Sequence, residues 1–140
     1  MPNVEKKYDI KSGDFVHAGD ASMQVQRILK AVGCRPEIVR RAAICAYEAE
    51  MNVVMHGGDG SMCLYIDPEK IVLEVKDSGP GIPDIELAFK EGFSTAKEVH
   101  REMGFGAGMG LPNIKKNVDD VVVETPTEGG TCLKMSFSMG

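Results

Sequence analysis

The chain has no tryptophan, and aromatic residues supply only 6% of its 140 positions. No apolar run approaches the length of a bilayer span, and the opening Met-Pro-Asn-Val-Glu-Lys-Lys has no apolar leader segment. A cytoplasmic protein without a membrane role is therefore expected. No basic stripe interrupts a net charge of −5, which speaks against a nucleic-acid partner. Cys34, Cys45, Cys63 and Cys132 lie far apart, with no C-x-x-C and no histidine at metal-ligand spacing. They are expected as reduced, largely buried thiols and not as a zinc site or disulfides. Repeats, heptads and linkers are also lacking. What remains, 43% hydrophobic and 26% charged, fits one ordinary globular domain over residues 1–140.

Glycine, by contrast, is concentrated where it matters. From Met103 the chain runs Met-Gly-Phe-Gly-Ala-Gly-Met-Gly-Leu-Pro-Asn-Ile-Lys-Lys, with Gly104, Gly106, Gly108 and Gly110 alternating before an abrupt change to helical pattern. Glycine permits close backbone approach, and a helix beginning beside Leu111, with Pro112 early in it, aims unpaired N–H groups and a positive dipole end at that loop. Such a loop is a physical site for a polyphosphate. A Walker loop is excluded, because Leu111 and Pro112 stand where Lys and Ser/Thr are needed; a dinucleotide fingerprint is excluded, because the sixth position from Gly104 is Met109 and the segment before it is charged.

Periodicity supplies the frame. Val4 to Lys11 alternates weakly as an edge strand, and Asp20 to Val32 and Pro36 to about His56 have helical spacing. Strands are expected at Met62 to Asp67, Ile71 to Asp77, Asp120 to Thr125 and Thr131 to Ser138, with a helix over Leu111 to Val118 and a loop from Ser78 to Gly106 holding one helical turn near Ile85 to Lys90. Alternation puts Ile71, Leu73, Val75 and Asp77 on one face, and likewise Thr131, Leu133, Met135 and Phe137. One face is apolar and the other wet. The fold class is therefore α/β, a two-layer sandwich of a mostly antiparallel mixed sheet with helices on one face.

Four further residues carry chemistry. Asp77 continues the apolar face of its strand, so its carboxylate sits at the mouth of the helix–sheet layer and needs a donor such as an adenine amino group. The turn after it, Ser78-Gly79-Pro80-Gly81-Ile82-Pro83, lets a planar ligand lie against backbone, and Thr131 offers a hydroxyl at the corresponding place on the last strand. Glu48, Asn52 and His56 form one stripe at four-residue intervals on the long helix, whereas Glu50 lies ~200° away and points elsewhere. The amide oxygen of Asn52 suits Mg²⁺, and the Glu48 carboxylate suits proton abstraction from an attacking hydroxyl. His56 is expected to close the helix.

These segments resemble, in order, the boxes of the GHKL ATPases, the superfamily of gyrase, the heat-shock chaperone and histidine kinases: Glu48 to Gly57 is similar to the N box, Asp77 to Ile82 to the D-x-G-x-G box, Gly104 to Leu111 to the second glycine box, and Gly129-Gly130-Thr131 to the final G-T element. Within the superfamily the chain looks like the bacterial anti-sigma-factor serine kinases, in particular the RsbT-like switch kinases that act on STAS-domain antagonists. The resemblance implies the GHKL, or Bergerat, ATP-binding fold, with ATP and Mg as cofactors. It implies Glu48 as general base and Asn52 as the metal residue. It implies nucleotide contacts at Asp77, Gly79, Gly81, Gly104, Gly106, Gly108, Gly110, Leu111 and Thr131, with Lys97 and Arg101 within reach of the γ-phosphate. The implied partner is a STAS-domain substrate, with a sigma factor or a downstream phosphatase as further partners. The alternative is a binding module that sequesters a sigma factor, with ATP as conformational ligand. Oligomeric state is left open.

Overall fold

The structure, a computed structural model, describes residues 3–78, 110–124 and 130–139. Strand β1 (Val4–Ile10) leads to helices α1 (Asp20–Ala31) and α2 (Pro36–Asn52), a π-helical turn (Val53–Gly57), the hairpin β2 (Gly60–Ile66) and β3 (Lys70–Asp77), helix α3 (Gly110–Asn117), and a second hairpin, β4 (Asp120–Glu124) and β5 (Thr131–Ser138). The sheet order is β1-β2-β3-β5-β4, and every pairing is antiparallel. The expected α/β two-layer architecture is present, and no parallel pair occurs among the described strands. The short helical turn at Ile85 to Lys90 and the loop tip at 126–129 lie outside the described residues.

Register explains the single apolar face. Across β2, β3 and β5 the facing sets are Met62–Val75–Leu133, Leu64–Leu73–Met135 and Ile66–Ile71–Phe137. All nine of those side chains are buried, most of them completely. The helices lie over them, inserting Val25 and Leu29 from α1, Ile38, Ala42, Cys45 and Ala49 from α2, and Ile114 from α3 into one continuous core. On the opposite face Lys76 and Lys134 are exposed and Cys63 and Cys132 only half-buried, so the expectation of largely buried thiols holds for Cys45 alone. The Cys45 thiol donates a 3.7 Å bond to the Ile114 carbonyl, and burial pushes it up to about 12.

Two local features fix where α2 and α3 end. The long helix was expected to continue to about His56. It does so as a wider π turn over Val53–Gly57, a rare form that often marks functional sites. At the other end of the layer, Arg41 on α2 donates to the Asn117 carbonyl at 3.2 Å and pairs with Asp119 at 3.1 Å, its guanidinium 6.0 Å above the Phe137 ring. A cation at the last carbonyls of α3 complements the helix dipole and anchors its C-terminus. The Ser138 N–H, 2.6 Å from Asp119, and then Arg41 hold the Asp119 carboxyl below its ordinary range.

Candidate functional site

Several of the residues singled out by sequence stand at the ends of described elements. Asp77 closes the central strand β3, opposite Gly60 of β2 and Thr131 of β5. Both neighbours are trimmed to make room. A Cβ on Gly60 would stand 2.2 Å from the Lys76 carbonyl oxygen and 3.1 Å from the Asp77 Cα; a Cβ on Gly130, whose φ is +85°, would stand 2.2 Å from the Asp77 carbonyl oxygen. Only glycine fits at either position. The strand end bearing Asp77 is therefore bracketed on both sides by backbone. Ser78 continues the clamp, donating both its N–H and its hydroxyl to the Asp59 carbonyl at 3.1 Å.

The same glycine connects the sheet to α2. A Cβ on Gly60 would also stand 3.1 Å from a methyl of Val53, the residue after Asn52, so the end of α2 packs close to the end of β3 across this glycine. Asn52 is the last α-helical residue and is half-buried, and Glu48 stands one turn earlier, also half-buried. Burial pushes the Glu48 carboxyl above its ordinary value, with only a partial counter-pull from the Asn113 side-chain amide, which donates to Oε1 at a long 3.3 Å. A carboxylate with one weak donor and a raised pKa is an accessible proton acceptor.

Asn113 belongs to the first turn of α3, which begins at Gly110 and seats Leu111 in the core. The contact therefore brings the start of α3, and the end of the glycine run, alongside Glu48. Of the sequence candidates, Glu48, Asn52, Asp77, Gly110, Leu111 and Thr131 lie among the described residues; Asp77 is paired with Thr131, and Glu48 with Asn113 in the first turn of α3. Gly79, Gly81, Gly104, Gly106 and Gly108, together with Lys97 and Arg101, lie outside the described residues. His56 falls within the π turn. Glu50 points away, as its helical phase requires, with its carboxylate on the N-terminus of α1.

Asn113 and Gly60 are the residues that sequence reasoning passed over. The signal for Asn113 was its place in the first turn of a helix following the glycine run. Gly60 gave none, because its role appears only once β2 and β3 are in register.

A hard-cation pairing fits the donor chemistry here: Asn52 offers a neutral amide oxygen at a helix end, and the nearby carboxylate belongs to Glu48. No cluster of three or more His, Cys, Asp or Glu that could hold a metal exists among the described residues, so any ion at Asn52 must complete its shell from phosphate and water. That is the ordinary habit of Mg²⁺ in nucleotide sites.

Comparison with known proteins agrees with the fold. The histidine kinase-like ATPase domain family matches residues 13–137. The anti-sigma F factor of Thermoanaerobacter sp. (strain X514) is 34% identical over 98 residues, covering 66% of this chain and 65% of that protein. The anti-sigma F factor of Geobacillus stearothermophilus is 36% identical over 90 residues, covering 60% and 58% respectively. The matched region thus spans slightly less than two thirds of these relatives. Among solved structures, the mycobacterial sensor histidine kinase MprB superposes with a TM-score of 0.58 at 21% identity, over 96% of this chain and 97% of that one, a likeness of fold. No helix among the described residues is long and apolar enough to cross a membrane. With the match running through nearly every element of the sandwich, the chain belongs to the histidine kinase-like ATPase family, and an ATP site follows from that membership.

Proposed function

We propose that this protein is an ATP-dependent serine/threonine protein kinase of a bacterial partner-switching module, transferring the γ-phosphoryl group of ATP to a hydroxyl of a STAS-domain antagonist. The observation that carries the proposal is Glu48: a half-buried carboxylate with a raised pKa, one helical turn before Asn52 and beside the first turn of α3. A domain that only held nucleotide would have no use for a proton acceptor there.

In this reading Asp77 accepts a hydrogen bond from the adenine amino group, and Thr131, opposite it in register, supports the same side of the pocket. Gly79 and Gly81 shape the base pocket, and Gly104, Gly106, Gly108 and Gly110 cradle the phosphates, with Leu111 fixing the helix that follows. Asn52 holds Mg²⁺ through its amide oxygen; the ion's contribution is neutralisation of phosphate charge. Glu48 takes the proton of the acceptor hydroxyl as the oxygen attacks phosphorus. The phosphorus–oxygen bond to ADP breaks, and ADP leaves with that electron pair. The protein's share of catalysis is placement and electrostatics.

Incubation with Mg-ATP and a purified STAS-domain protein should yield phosphoserine or phosphothreonine detectable by mass spectrometry. Glu48→Ala should abolish it while nucleotide binding persists. Undiminished phosphorylation by that variant would remove Glu48 from the role.

A second reading is favoured by the name of the relatives, anti-sigma F factor. The chain would capture a sigma factor, with ATP setting its conformation. Retention of a sigma factor in pull-down only when ATP is present, without phosphate transfer to any STAS protein, selects it.

A further inference from the structure

Glu50 makes no contact with the reacting groups in that chemistry, yet its carboxylate is buried and hydrogen-bonded through both oxygens. It is 3% exposed. Its Oε2 accepts the backbone N–H groups of Gly19 at 3.0 Å and Ala21 at 3.3 Å, and its Oε1 accepts that of Ser22 at 2.9 Å. Helix α1 has no side-chain cap of its own, since its N-cap residue is Gly19 in a left-handed conformation. The otherwise unpaired donors at its start, and its positive dipole end, are instead satisfied by a carboxylate from another helix.

The position of that carboxylate along α2 is what matters. Glu50 is two residues from Glu48 and two from Asn52, about 200° around the axis from each, so it grips the helix from the side opposite both. A second tie follows four residues on, where the Gly13 N–H donates to the Val54 carbonyl at 2.7 Å. The segment from Gly13 to Ser22 thus holds the last turn of α2 and the start of the π turn from behind. Helix ends normally fray. This one is fastened.

We propose that Glu50 is a positioning residue: by docking on the N-terminus of α1 it fixes the rotation of the last turn of α2 and so aims the Asn52 amide oxygen at the metal–phosphate group. The inference rests on the proposed nucleotide function. Its magnitude follows from helix dimensions. A 20° rotation of a helix whose side chains extend to about 5–6 Å from the axis carries an oxygen on the order of 2 Å, whereas a misplacement of about 1 Å already costs up to about 10²-fold.

The test is the gain in nucleotide affinity produced by Mg²⁺, read with a fluorescent ATP analogue titrated with and without the ion. Glu50→Gln keeps the volume but turns an amide N–H₂ toward backbone donors. Its affinity without Mg²⁺ should stay within twofold of wild type, because the Asp77 end is untouched, while the Mg²⁺-dependent gain should fall at least tenfold. Ser22→Ala is the control. It removes the hydroxyl bond to the Gly19 carbonyl at the same helix end without touching the carboxylate, and should lower the melting temperature with the gain intact. If Glu50→Gln does not fold, Glu50→Asp, which keeps the charge but is one methylene shorter, takes its place with the same expectation. An unchanged gain in the Glu50 variant, or an equal loss in Ser22→Ala, overturns the inference alone. Absence of nucleotide binding by the wild type overturns the proposed function and this inference with it.

Discussion

Two glutamates separated by one residue on the same helix have opposite circumstances. Glu50 is sealed from water and accepts three backbone N–H groups; Glu48 is half-buried and, among the described residues, has one long side-chain donor. Burial is common to both, so burial does not separate a structural carboxylate from a chemical one. The donor set does. A carboxylate surrounded by fixed donors is committed to the fold, whereas one that is desolvated without enough donors keeps its affinity for a proton.

The comparison can be broken most sharply at Glu48. Glu48→Gln should lower phosphoryl transfer by roughly 10²–10⁴-fold, the usual contribution of a general base, with nucleotide affinity nearly unchanged. It should not cost stability. Because the folded-state pKa of Glu48 is raised, its contribution is full below the ordinary carboxyl range and is lost as pH rises through the folded value. Thermal melts at neutral pH should therefore find Glu48→Gln equal to or more stable than wild type, the two converging in acid. Lower stability of the variant at neutral pH would contradict the assignment.

Glu50→Leu, unlike Glu48→Gln, should cost stability. It leaves three N–H donors at the start of α1 without their acceptors, and denaturant unfolding should register a loss of about 3 kcal/mol. Next in size are the glycines bracketing Asp77. Gly60→Ala and Gly130→Ala each force a methyl against backbone and should destabilise by about 1–3 kcal/mol, with weakened nucleotide binding because Asp77 shifts. The smallest effect is on pH dependence. Transfer should rise with pH along an acid limb lying above the ordinary glutamate range, and Asn113→Ala, which removes the donor that pulls Glu48 down, should move that limb further up. A limb that stays put in Asn113→Ala would show that the 3.3 Å contact has no energetic weight.

Much of this was legible in the chain. The alternation of Ile71, Leu73, Val75 and Asp77 identifies the covered face because strand side chains obey a strict period of two, and the structure pairs them with Phe137, Met135, Leu133 and Thr131 in turn. The i, i+4 spacing of Glu48 and Asn52 is equally rigid, and the phase of Glu50 correctly turns it away. What lay beyond sequence was the target of each side chain. Glu50 seeks backbone groups thirty residues earlier, and backbone has no sequence signature. The π turn after Asn52 is invisible for a related reason: a helical pattern over Val53 to Gly57 looks the same whether the turn is tight or wide. Gly60 resembles any glycine at the start of a hairpin until its neighbour's carbonyl is found where a Cβ would go.

The thiol of Cys45, wedged between α2 and the Ile114 carbonyl, turns the helix layer into its own reporter. Fully buried, with burial pushing its pKa up to about 12, it should react with alkylating reagents only when the two helices separate. Its labelling rate therefore clocks the breathing of the lattice of contacts beside Glu48, and a bound nucleotide that tightens that lattice will slow the clock without any engineered probe.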